Sequence, residues 1–244
     1  MTDGGQRILV IKAGSTMPSL RRRRGDFEHW ILSGMGADPI DADVVNVEQG
    51  EGLPEHGAHA SVVITGSHAM VTDHSAWSER AAAWLAEEVR LGTPVLGVCY
   101  GHQLLAHALG GVVANNPKGL EFGTVEMRLE PEAETDALFR DLPPSLPVQA
   151  SHTQSVLRLP AEAVRLASSV MDANHAVRFA RNAWGVQFHP EFDAEVVREY
   201  ARHSREELMV GGRDPDSILA GIQETSTSAR VLARFDAMAR GGSR

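Results

Sequence analysis

The sequence predicts an α/β fold: an open, twisted, mostly parallel sheet flanked by helices, with a small antiparallel extension and C-terminal helices. Three observations carry that expectation. Short β-branched runs alternate with helical periodicity in the first half, closely spaced strands and turns follow from about residue 122, and amphipathic helical patterning returns beyond residue 193. Residues 8–11, 44–47, 61–65 and 94–98 read as four buried strands, because they are short runs rich in β-branched residues. Phe27, Trp30, Ile31 and Met35 fall at helical spacing behind Asp26, a suitable N-cap. Trp77, Ala81, Trp84, Leu85 and Val89 do the same within residues 75–91, and the two tryptophans read as core. Strands joined by helices pair in parallel through right-handed crossovers. Residues 124–129, 148–150, 164–168, 176–180 and 185–188 then read as the antiparallel extension, residues 194–208 as an amphipathic helix, and residues 216–239 as one or two more helices.

With 244 residues, 43% hydrophobic and 23% charged, the chain has the composition of an ordinary folded protein and not of a disordered one. It contains no repeat, low-complexity stretch or long linker. Residues 1–244 are therefore expected to form one domain, with a core over residues 7–192 and a helical extension over 193–240. Lys plus Arg number 23 against 32 for Asp plus Glu, a net charge of −9, which lacks the electrostatic footprint of a nucleic-acid binder. No apolar run is long enough to cross a bilayer, and residues 1–6 are polar, without a signal segment, so no membrane partner is expected. One cysteine excludes an internal disulfide framework and a Cys-rich zinc site. The expected setting is the cytoplasm, where the thiol stays reduced.

The most informative segment is PVLGVCYGHQLLAHALGG, residues 94–111. A buried strand ends at Val98, Cys99 follows, and helical periodicity begins at Tyr100. A nucleophile on such a turn protrudes above the carboxyl edge of a sheet, at a helix N-terminus whose dipole and free N–H groups favour thiolate. Gly97 and Gly101 complete G-x-C-x-G, the cysteine counterpart of the G-x-S-x-G elbow, where small neighbours tolerate the tight turn. The Tyr100 N–H then points to where an oxyanion would form.

A nucleophilic cysteine needs a base, and the base needs an orienting group. AWGVQFHPEF, residues 183–192, offers both at the end of a strand: His189, and Glu191 beyond Pro190. Proline biases the residue before it towards extended backbone, so imidazole and carboxylate can project to one side.

Together, GVCYGHQLLAHALGG and GVQFHPE resemble the class I glutamine amidotransferases, whose members use a Cys-His-Glu triad. The resemblance covers roughly residues 60–192. It implies a flavodoxin-like sheet and a triad of Cys99, His189 and Glu191. It also implies an oxyanion hole from the backbone of Gly66, Ser67 and Tyr100. Gln103, with the backbone of Ser151 and His152, would hold the glutamine α-end. The implied reaction is hydrolysis of glutamine's side-chain amide to glutamate and ammonia through a γ-glutamyl thioester on Cys99. No cofactor and no metal is implied. The sequence looks most like the stand-alone relatives of the glutaminase domain of GMP synthase, in which ammonia passes to a separate synthetase chain; no phosphate-binding G-x-x-x-x-G-K-[ST] loop is present. A homo-oligomer is also compatible with the sequence.

One departure from that pattern bears on the acceptor. Where the GMP synthase domain commonly has Gly-Asp after Ser-His, this chain has Thr153 and Gln154. A γ-glutamyl compound in place of glutamine is thus an alternative substrate, and a non-catalytic regulatory module is an alternative role that the intact Cys99, His189 and Glu191 argue against. The cysteine-elbow family of stress chaperones and proteases places His directly after Cys, where Tyr100 stands here.

Arg21, Arg22, Arg23 and Arg24 form the one strongly basic run, read as a solvated loop ahead of a helix near the carboxyl edge, and as the first place to look for substrate selection. His56, His59, His68 and His74 show no metal-ligand spacing. His102, on the helix after the elbow, is expected to support packing.

Overall fold

The computed structural model describes residues 7–241; residues 1–6, read above as a polar start without a signal segment, lie outside the described residues. The elements are β1 (Ile8–Lys12), α1 (Pro18–Arg24), α2 (Phe27–Met35), β2 (Ala42–Asn46), β3 (Ser61–Ile64), α3 (Ala76–Leu91), β4 (Val95–Val98) and α4 (Tyr100–Ala108). There follow β5 (Val112–Asn115), β6 (Glu121–Leu129), β7 (Ser145–His152), β8 (Gln154–Arg158), β9 (Val164–Ser169), β10 (Ala176–Ala180) and β11 (Ala183–Val186). The chain closes with α5 (Ala194–His203), α6 (Arg205–Val210), α7 (Pro215–Gly221) and α8 (Ser226–Gly241).

Nine strands form one sheet in the order β2-β1-β3-β4-β11-β10-β9-β6-β7, and β5 pairs with β8 in a separate two-stranded sheet. The first five strands in that order are parallel neighbours; β11-β10, β10-β9, β9-β6 and β6-β7 are antiparallel. The expected α/β architecture with its antiparallel extension is therefore the architecture found. Helices cover both faces: α2 and α8 close one core around Val10, Val63, Leu96 and Phe235, and α3 and α4 close the other around Leu9, Ile64, Leu85 and Leu104. No helix among the described residues is long and apolar enough to cross a membrane.

Local sequence explains the helix starts. Asp26 accepts hydrogen bonds from the α2 N-terminus, and the His29 ring accepts from the Asp26 N–H, a reciprocal cap. Pro18 opens α1, where its missing N–H costs nothing. Gly36 and Gly92 end α2 and α3 in left-handed conformation.

Several expectations are corrected. Residues 44–46 belong to a strand, with Val47 in the turn after it, but β2 is an edge strand with Val44 42% exposed; a β-branched run signals a strand and not its place in the sheet. The four arginines lie on α1 and not in a loop, and Arg23 and Arg24 reach Glu199, Asp193 and Glu195 on and before α5. The helix read over residues 194–208 breaks at Ser204 into α5 and α6. The last strand ends at Val186, leaving Gln187 and Phe188 on the connection to His189. Strands β5 and β8 went unread because each is short and half-polar. Trp84 is buried as expected; Trp77 is half-buried.

Candidate active site

Three parallel neighbours, β3, β4 and β11, deliver the site at their carboxyl ends, the edge where open α/β sheets place their ligands. Strand β4 runs into Cys99, whose φ of 51° and ψ of −100° are a strained conformation for a non-glycine residue. The turn is held by the Cys99 N–H donating to the Val186 carbonyl at 2.8 Å. Both flanking glycines are sterically required. A Cβ on Gly97 would lie 2.4 Å from the Gly101 carbonyl oxygen, and one on Gly101 would lie 2.5 Å from the Ile64 carbonyl oxygen. Helix α4 thus packs directly on the backbone of β3 and β4, with Cys99 as its N-cap.

Beyond β11, the His189 N–H donates to the Gln149 carbonyl at 2.8 Å and fixes the imidazole over the elbow. His189 Nδ1 lies 2.8 Å from Glu191 Oε1, and both side chains are almost wholly buried. Phe192 stacks on the imidazole at 4.0 Å and 9°. Burial is the largest influence on His189 and lowers its pKa. The negative charges of Glu191 and of ionised Cys99, with hydrogen bonds to both, outweigh it and raise the pKa to about 10. Cys99 and His189 both line a small cavity of about 30 Å³, next to Ser151, His68 and Tyr200. Sulfur, imidazole and carboxylate are thereby brought together, with the imidazole between the other two.

The turn after β3 closes in from the other side. A Cβ on Gly66 would lie 3.1 Å from His189 Cε1 and 3.8 Å from Cys99 Cβ, so this backbone lies close against the imidazole and beside Cys99. Thr65 Oγ1 accepts from the Ala13 N–H and donates to the Gly66 carbonyl, which orients the turn. Among the described residues, the N–H groups of Gly66, Ser67 and Tyr100 have no hydrogen-bond acceptor. The Tyr100 side chain points inward, its hydroxyl 2.6 Å from Ser78 Oγ.

A pocket of about 280 Å³ opens from Cys99 towards Gln103, Ser151 and Thr153, with Glu207 of α6 at its rim. The Ser151 carbonyl oxygen is 3.8 Å from Cys99 Sγ. Gln103 lines the pocket, but its Nε2 is already committed to the Gln154 carbonyl and to Gln187 Oε1, which leaves its Oε1 as the group able to meet a ligand. The His152 side chain faces away from the pocket, so any contribution there is from its backbone.

Two residues of the site were not assigned to it from sequence: Gln187, and His68, which was weighed only as a metal ligand. Gln187, fully buried, donates from Nε2 to Cys99 Sγ at 3.6 Å; a polar residue inside the apolar GVQF run was the available signal. His68 stacks on Tyr200 and lines both cavities, and burial followed by the charge of His189 lowers its pKa. No signal in its own segment marks it. The four histidines considered for a metal do not converge: His56 meets Glu88, His59 meets Asp43, and His74 meets Glu79. His102 is fully buried against Phe179, and burial lowers its pKa to about 4, in keeping with a packing role.

The family model described as "Glutamine amidotransferase class-I" matches residues 26–202, well over half of the sequence. The chain belongs to the class I glutamine amidotransferases. It is 39% identical over 142 residues to a glutamine-hydrolyzing GMP synthase of Aeropyrum pernix, covering 58% of this amidotransferase and 25% of that protein. It is 32% identical over 168 residues to a subunit of the glutamine-hydrolyzing GMP synthase of Methanospirillum hungatei, covering 68% and 82%. Among solved structures it is similar to a glutamine amido transferase from Methylobacillus flagellatus, at TM-score 0.77 and 25% identity over 97% of this chain and 95% of that one. A glutamine amidotransferase from Thermotoga maritima shares the fold at TM-score 0.75 and 22% identity, covering 95% and 96%. The chain spans only about a quarter to a third of the length of the GMP synthases from Aeropyrum pernix and Streptococcus thermophilus.

Proposed function

We propose that this protein hydrolyses the side-chain amide of glutamine to glutamate and ammonia, with Cys99 as nucleophile, His189 as acid and base, and Glu191 as the group that orients the imidazole. The observation that carries the reading is the convergence of Cys99, His189 and Glu191 beside a pocket at the carboxyl edge of the sheet. The Cys99 thiolate attacks the amide carbon and forms a C–S bond. Negative charge moves to the amide oxygen, where the N–H groups of Gly66, Ser67 and Tyr100 receive it. Imidazolium His189 gives its proton to the departing nitrogen as the C–N bond breaks, releasing ammonia and leaving a γ-glutamyl thioester. His189 then takes a proton from water, whose oxygen bonds to the thioester carbon; the C–S bond breaks, glutamate leaves, and Cys99 returns to thiolate beside imidazolium His189. The cavity of about 30 Å³ that Cys99 and His189 help to line has room for one such water. Gln187 donates to the sulfur and steadies its negative charge.

Gln103 Oε1 and the backbone of Ser151 and His152 would hold the α-end of glutamine, at near-attack distance for the amide. The similarity to a GMP synthase subunit that is itself a short chain supports a separate synthetase chain as ammonia acceptor. The single continuous nine-stranded sheet supports reading the whole chain as one glutaminase domain. The test is intact-mass spectrometry after incubation with a glutamine-analogue electrophile. One adduct on Cys99 in the wild type and none in Cys99→Ser is the expected result; labelling that survives the substitution refutes the nucleophile assignment. Assay of amine release from glutamine against γ-glutamyl conjugates decides the substrate.

A further inference from the structure

Behind the pocket wall lies a buried cluster that takes no part in the chemistry at Cys99. Glu121 on β6, His152 on β7 and His175, just before β10, each aim one ligand atom at a common point. His152 Nε2 is 2.9 Å from Glu121 Oε2, and His175 Nε2 is 3.2 Å from the same oxygen. The three atoms lie within 4.8 Å of one another, and no side chain of the three is more than 2% exposed.

The hydrogen-bond inventory of this cluster does not close with neutral rings. His152 Nδ1 is 2.9 Å from the Gln154 carbonyl oxygen. A carbonyl only accepts, so Nδ1 carries the proton and the neutral ring presents a lone pair at Nε2. That lone pair faces a carboxylate oxygen, which also only accepts. Two acceptors 2.9 Å apart need a positive centre between them, either a second proton or a metal ion. His175 closes its own contact as the Nε2–H tautomer, so a proton on His152 Nε2 completes the set without a metal; a metal ion takes the place of both protons and joins all three atoms.

The surroundings match those of a ligating set. The His152 Nδ1–H held by a backbone carbonyl is the outer contact that fixes the tautomer of a metal-bound histidine. Ser169 Oγ donates to Glu121 Oε1 at 2.7 Å, orienting the carboxylate and leaving Oε2 as the ligand oxygen. Ligation through His175 Nε2 puts a proton on Nδ1, which has no partner now; Asp172 Oδ2, in the same turn between β9 and β10, is a buried acceptor without a donor. Separations of 2.9 and 3.2 Å are close to the roughly 3.3 Å edge of a tetrahedron with 2.0–2.1 Å bonds. We propose that Glu121, His152 and His175 form a binding site for a divalent transition-metal ion of the Zn²⁺ type. Two imidazoles and one carboxylate suit such an ion and not Mg²⁺ or Ca²⁺, which take oxygen ligands. Leu120 and Phe122, on either side of Glu121, line the pocket with Ser151 and His152, so the cluster lies one residue behind the pocket wall.

The site stands apart from the glutaminase reading, and its test needs no activity. Full-length protein stripped with a chelator is titrated with zinc sulfate against a chromophoric competitor. The expected result is one equivalent bound with Kd below about 1 µM, weakened at least tenfold by His175→Asn and by Glu121→Gln. At a hundredfold excess over Kd, Tm rises by roughly 5–10 °C in the wild type and not in those variants. Co²⁺ gives a visible absorption band that the same substitutions remove. His74, Glu79 and His107 form a second, surface set of potential ligands, so His74→Ala/His107→Ala is the control and keeps all three signals. Binding weaker than about 1 µM, or binding lost in that control and kept in His175→Asn, overturns the proposal. Where His175→Asn does not fold, the control alone decides: binding that stays supports the buried site, and binding that goes refutes it.

Discussion

Glu191 Oε1 sits 2.8 Å from His189 Nδ1, while Glu191 Oε2 is buried without any hydrogen-bond partner. The carboxylate therefore spends its one strong contact on the imidazole and does not line the pocket beside Cys99.

Glu191→Gln keeps the size of that side chain and removes its charge. The imidazolium loses its orienting anion, and kcat for glutamine hydrolysis should fall about 10²–10⁴-fold. KM should change by less than about threefold, because the pocket is untouched. Steady-state kinetics check the split; a rise in KM at constant kcat would place Glu191 in substrate binding instead.

The raised pKa of His189 ties stability to pH. Its folded value of about 10 lies above the ordinary 6.5, so its contribution is complete below about pH 6.5 and is lost as pH rises through about 10. Denaturant titration of the wild type should show unfolding free energy declining over that window by an amount on the order of a few kcal/mol. Glu191→Gln should flatten the decline, since it removes the first of the charges that raise the pKa. An identical slope in both proteins would show that His189 is not held charged.

The elbow depends on glycine. In Gly101→Ala the new Cβ would meet the Ile64 carbonyl oxygen at 2.5 Å, and backbone cannot swing aside as a side chain can. A loss of about 3 kcal/mol is expected, read as a fall in Tm of roughly 6–12 °C. Gly221→Ala, where no atom lies within 4 Å, should leave Tm within about 2 °C.

The arginine run holds helices together and does not face the pocket. Arg23 reaches Glu199, and Arg24 reaches Asp193 and Glu195, all at the surface. Replacing all four arginines by alanine should leave KM for glutamine within about twofold. Each lost pair should cost about 1 kcal/mol or less, and less still at high salt. A large KM effect would restore the run as a substrate-selecting element.

Both chemical motifs and the general architecture were legible in the sequence because each rests on local physics. A β-branched run stopping at Cys99, glycines at 97 and 101, and helical spacing from Tyr100 describe a strand-turn-helix whatever lies around it. The caps at Asp26 and the antiparallel texture beyond residue 122 were readable for the same reason. Tertiary structure alone decided which strands are neighbours, since pairing of β4 with β11 is what joins Cys99 to His189. It also decided that β2 lies at an edge, that Gln103 has one free oxygen and not a free amide, and that Gln187 reaches the sulfur. Glu121, His152 and His175 meet only through β6, β7 and the turn before β10. Their residue types stand in the sequence, but convergence is a property of three backbones at once, and no spacing along one chain encodes it.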